Sequence, residues 1–96
     1  MTDMTPAQRE MFRLAILRVL ETNGTSRYGL TAENISHFLP QFGFRATVAQ
    51  VDHELNYLSG EPLCHVDLVN KGGFSPEVRP WKITTRGMNF LAEQSA

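Results

Sequence analysis

The apolar residues of this chain change period at Leu63, from helical to alternating, and that change separates three helices from a hairpin. Ahead of it they recur at helical spacing. From 63 to 69 they alternate, with Cys64, Val66 and Leu68 toward one face and His65 and Asp67 toward the other. Such an alternating run is a strand with one buried face. Asn70, Lys71, Gly72 and Gly73 follow as a turn of residues that accept positive φ, and 78–84 can return as the antiparallel partner. Pro76 and Pro80 have no N–H to give a ladder, so regular pairing is expected near 81–84.

The helices are marked by their starts. Thr5, Pro6 and Gln8 form a capping box ahead of Phe12, Ala15, Ile16, Val19 and Leu20, a stripe that Met11 and Leu17 widen. Asn23-Gly24 supplies the stop, and after a polar loop Leu30 can add a short pairing strand. Thr31 caps a second helix with Glu33 in its first turn and Ile35, Phe38 and Leu39 on its buried face. Pro40 disfavours helical geometry at Leu39, so this helix should end there or within a residue of it. The next residues, Gln41, Phe42, Gly43 and Phe44, read as a turn with two aromatic anchors. Thr47 and Gln50 repeat the capping box before Val48, Val51, Leu55 and Leu58, and this third helix should end near Ser59 and Gly60, with Pro62 beyond. Thr84 or Thr85 then caps a last helix carrying Met88, Leu91 and Ala92 or Phe90. The expected fold is mainly α with a small β-hairpin (α+β), in the order helix, helix, helix, hairpin, helix. With 96 residues it is one domain over 1–96, its core running from about 5 to 93.

Composition narrows the function classes. Nine Lys and Arg against ten Asp and Glu leave a net charge of −1, which argues against a chain that coats nucleic acid through many phosphate contacts. The single cysteine, Cys64, cannot form an internal disulfide and reads as a packed thiol. The start, MTDMTPAQREMF, resembles no signal peptide, and no run approaches the about 20 apolar residues needed to span a membrane, so the expected location is cytoplasmic. His37, His53 and His65 fall on three different elements without metal-ligand spacing. Cys64 and His65, as strand neighbours, point apart, and Gly72-Gly73 lacks the helix start that a phosphate site requires. No enzyme activity, cofactor or metal is expected.

The run ISHFLPQFGFRATVAQVDHELNYLSGEPL resembles the core of the winged helix-turn-helix superfamily. There a Thr-Val pair starts the recognition helix, leucines precede a glycine, and an apolar residue opens the wing. Thr47, Val48, Leu55, Leu58, Gly60 and Leu63 hold those places here. The later WKITTRGMNFLAE is similar to the signature by which the last wing strand enters the closing helix in MarR-like and PadR-like regulators, carried by Ile83, Thr84, Gly87 and Leu91. The resemblance implies a winged helix that binds double-stranded DNA, as a small transcriptional or phage-associated regulator of bacterial or phage origin. Regulators of the MarR type carry extra terminal helices for dimerisation, for which 96 residues leave no room, so pairing into a homodimer would fall to the first helix.

At about 100° per residue, the stripe of the third helix leaves His53 and Tyr57 opposite, flanked by Ala49, Gln50 and Asn56. Gln50 suits adenine, and Ala49 and Thr47 suit a thymine methyl; the resemblance extends base reading to His53. Tyr57 suits a phosphate, and the resemblance implies that Arg45, just before the helix, holds the backbone. Asp52 and Glu54 on the same helix oppose them. In the hairpin, Lys71, Arg79, Lys82 and Arg86 stand against Asp67 and Glu77. Lys71 is placed for a minor groove or phosphate, and Arg79 and Lys82 for the adjacent backbone. Trp81 reads as an anchor between hairpin and core rather than a base-stacking platform. Three other readings stay open. The polar face is a solvated surface and the hairpin charges guard a sheet edge; Asp52, Glu54 and Tyr57 meet a protein partner; or the chain is a subunit of a larger assembly.

Overall fold

The computed structural model describes residues 4–23, 29–69 and 79–95. Its elements are α1 (Pro6–Asn23), α2 (Ala32–Phe38), a 3₁₀ turn (Leu39–Phe42), α3 (Val48–Ser59), β1 (Val66–Leu68), β2 (Trp81–Ile83) and α4 (Thr85–Ser95). The protein is mainly helical with one two-stranded antiparallel sheet.

Reciprocal side-chain bonds open α1, α2 and α3. Thr5 Oγ1 accepts from the Gln8 N–H at 3.1 Å while Gln8 Oε1 accepts from the Thr5 N–H at 2.9 Å. Thr47 and Gln50 repeat this arrangement at 3.1 and 2.9 Å. At α2 the box closes between Thr31 and Asn34, a residue that the sequence reading did not assign to the cap. At α4 the cap falls on Thr84, whose Oγ1 accepts from the Gly87 N–H at 3.1 Å. Each bond satisfies an N–H that the helix itself leaves without an acceptor.

α1 runs through the centre. Phe12, Ala15, Ile16, Leu17, Val19 and Leu20 are buried, and Ile35, Leu39, Val51, Leu55 and Leu58 close over them from α2, the 3₁₀ turn and α3. Met11 does not join this stripe; lying about 100° around the helix from buried Phe12, it is 59% exposed. Val48 is likewise exposed, as the first residue of α3, ahead of the buried Val51, Leu55 and Leu58.

α2 ends at Phe38 as the proline predicts, yet Leu39 itself stays helical (φ −56°, ψ −35°) and leads into the tighter turn. There Pro40 sits in a first-turn position, where its missing N–H is harmless. Gly43, at φ 86°, closes the turn in the left-handed region that favours glycine. Phe44 then packs 5.7 Å from Phe12, and Ser36 Oγ donates to the Ala46 carbonyl at 2.7 Å, fixing the approach to α3.

β1 and β2 pair in the register Val66 to Ile83, Asp67 to Lys82 and Leu68 to Trp81. Leu30 adds the expected third line: its N–H and carbonyl bond Trp81 at 2.8 and 2.6 Å. Bridged on both edges, Trp81 is 2% exposed and anchors the hairpin to the core. The expected turn at 70–73, with Lys71, and Pro76 lie outside the described residues.

The strand is shorter than its alternation suggested. Cys64 has φ 49°, so the extended run begins only at Val66 and the two-face pattern does not reach back to His65. His65 is therefore buried with Val66, stacked on Phe90 at 4.6 Å, while Cys64 is half-buried. The His65 carbonyl accepts from the Thr84 N–H, and Thr84 Oγ1 donates to the Cys64 carbonyl, binding the start of β1 to the start of α4.

Candidate nucleic-acid interface

The outward face of α3 follows from its packing. With Val51, Leu55 and Leu58 against the core, Ala49, His53, Asn56 and Tyr57 are exposed, and Gln50 and Asp52 are half-buried at the flanks. Arg45 is exposed in the segment entering the helix, and Lys82 is exposed on β2, opposite Asp67.

Glu54 departs from expectation. It does not lie on the polar face; it is 5% exposed, and its Oε1 accepts from Arg13 Nε on α1 at 2.7 Å. The same guanidinium lies 4.0 Å from the centroid of the Tyr57 ring. One arginine thus neutralises the inward carboxylate and covers an outward aromatic through a cation–π contact.

The remaining acid on this helix is also accompanied. Asn56 Nδ2 donates to the Asp52 carbonyl at 2.8 Å and to its carboxylate at 3.3 Å. Arg79, at the foot of the hairpin, donates through Nη2 to Asn56 Oδ1 at 3.3 Å and places Nη1 4.0 Å from Asp52 Oδ1. Its guanidinium is 5.5 Å from the Trp81 ring. Arg79, Asn56 and Asp52 therefore join the hairpin to α3 on the exposed side.

Thr47 and Gln50 are both engaged in the cap that starts α3. Base reading by Gln50 requires the exchange of a bond that holds the helix start, whereas Ala49 and His53 stand exposed in the first and second turns of α3. The structure thus brings Arg45, Thr47, Ala49, Gln50, His53 and Tyr57 onto α3 or its entry, and Arg79 beside it. Lys71 lies outside the described residues.

Sequence reasoning set Asn56 on the exposed flank without a role and missed Arg13. Arg13 acts across 41 residues of chain, which no local pattern reveals. Glu54 carried a usable signal, because 51, 54, 55 and 58 together form the wide apolar stripe of a packed helix.

Among the described residues, no group of three or more His, Cys, Asp or Glu could hold a metal ion, and no helix is long and apolar enough to cross a membrane. No protein-family model, curated protein or solved structure matches the chain.

Proposed function

We propose that this chain is a winged-helix DNA-binding domain in which α3 enters a major groove and the β1–β2 hairpin is the wing. The observation that carries the reading is the inward turn of Glu54 onto Arg13, which removes an acid from the face that would meet phosphates. Asp52, the other acid of α3, has Arg79 beside it. The face left outward combines small and polar side chains at the helix start, the end that docks into the groove in helix-turn-helix proteins.

Ala49 and exposed Val48 offer methyl contacts to thymine, and His53 a hydrogen bond to a base edge. Arg45, Lys82 and Lys71 hold the backbone, and Arg79 joins them when a phosphate replaces Asp52. One helix reads few base pairs, so the working form is a homodimer on two half-sites. Gel-shift titration of the purified chain against mixed-sequence duplexes at several salt concentrations tests the reading. Binding that weakens steeply with salt supports it, and no binding at low ionic strength overturns it.

A second reading, a winged helix that docks on protein, rests on the apolar exposure of Val48 at 45% and Tyr57 at 51%. Recovery of nucleic acid alone on the immobilised chain counts against it.

A further inference from the structure

α1 buries much of its circumference and leaves one strip bare. A turn of about 100° per residue gathers Ala7, Glu10, Met11, Leu14, Arg18 and Glu21 on the side away from buried Phe12, Ile16 and Val19. Ala7, Glu10, Met11 and Glu21 are exposed, while Leu14 and Arg18 are half-buried. Met11 is the most exposed large apolar side chain among the described residues.

The charges of this strip form a row. Glu10, Leu14 and Arg18 follow at intervals of four residues, so an acid and a base flank a leucine, each about 6 Å along the axis from it. Two turns apart, the acid and the base do not reach each other, and neither enters a salt bridge among the described residues. Such a row is complementary to itself in one direction only. Laid antiparallel on a copy, with leucine against leucine, it sets each Glu10 against Arg18 of the partner subunit. Laid parallel, it sets acid on acid and base on base, which is repulsive. The antiparallel register also carries Glu21 to Ala7 of the partner subunit, a small residue in the first turn, at the positive end of the helix dipole.

We propose that α1 pairs antiparallel with α1 of a second copy about a two-fold axis at Leu14, closed by two Glu10–Arg18 bridges, with Met11 covered at its edge. The pairing supplies a surface for the homodimer of the DNA reading, yet it stands on α1 alone and is tested without DNA, so either can fail without the other. One helix pair makes a small interface, below about 1,200 Å² in total, so the dimer is weak, with a Kd of about 1–100 µM.

Sedimentation equilibrium of the purified chain, over concentrations spanning that range, tests it. The expected result is a reversible equilibrium between monomer and dimer. Glu10→Arg and Arg18→Glu each set like charges against one another, and each should weaken the dimer at least about tenfold, with helix content and thermal midpoint held. Glu10 is exposed, so its reversal leaves the core intact. The two reversals combined rebuild the bridges with their signs exchanged and should restore the dimer to within about threefold of the original chain. Neither residue would show that rescue if it served only the fold of its own chain. A chain that stays monomeric up to about 1 mM, a dimer indifferent to both single reversals, or a combined variant no tighter than either single one would each overturn the proposal.

Discussion

Three side chains concentrate the chemistry of this fold. Glu54 sits in the interior only because Arg13 reaches it, and removing one member of such a pair strands the other. Arg13 keeps part of its surface in water, so Glu54→Ala should cost less than a fully buried break, about 1–3 kcal/mol by urea denaturation. An unchanged midpoint would show that the pair contributes nothing. His65 makes stability depend on pH. Its folded form resists protonation, through burial first and Arg86 second, so the unfolded chain takes up the proton more readily. The contribution of neutral His65 is complete above the ordinary value of 6.5 and declines as pH falls below it. Thermal midpoints should therefore drop between pH 7 and 5, and His65→Phe should flatten that part of the profile. Trp81, by contrast, behaves as its sequence position implied, because a large aromatic between a strand and an apolar core has one place to go.

The helices and strands were legible where their signals are local. Capping boxes at Thr5 and Thr47 and the stop at Phe38 all follow from residues within a few positions of each other. What escaped was set by packing from afar. The left-handed Cys64 breaks the alternation before β1, and nothing in the apolar pattern marks it. The outward face of α3 was legible in its centre, at Ala49, His53 and Tyr57, and misread at its edges, where Glu54 turns in and Val48 turns out. Gly87 shows why one motif position admits so little change. A Cβ there would meet the His65 carbonyl oxygen and the Ile83 side chain, both far inside contact distance. The obstacle includes backbone, which cannot swing aside. Gly87→Ala should then lose about 1–3 kcal/mol, with a matching fall in the denaturant midpoint. A stable variant would mean that α4 can shift on the hairpin.

For the molecule as a whole, the near-balance of charge sets the terms on which it can meet DNA. On the proposed DNA reading, attraction comes from Arg45, Lys71, Arg79 and Lys82 together, so log K should fall with log salt by a small slope. Lys82→Ala and Lys71→Ala should each weaken binding on every sequence and reduce that slope by about 1. His53→Ala and Ala49→Gly should instead alter the ranking of sequences, measured by competition between duplexes. Uniform losses from all four substitutions would refute that division of labour. The Arg13–Glu54 bond also reaches beyond this one chain. Neither position can drift alone, because each intermediate buries a lone charge, while a concerted change to two apolar residues of similar volume escapes that penalty. Descendants of this fold should therefore carry arginine with glutamate, or an oily pair in their stead, and seldom a mixture: a bond between α1 and α3 written as a joint inheritance.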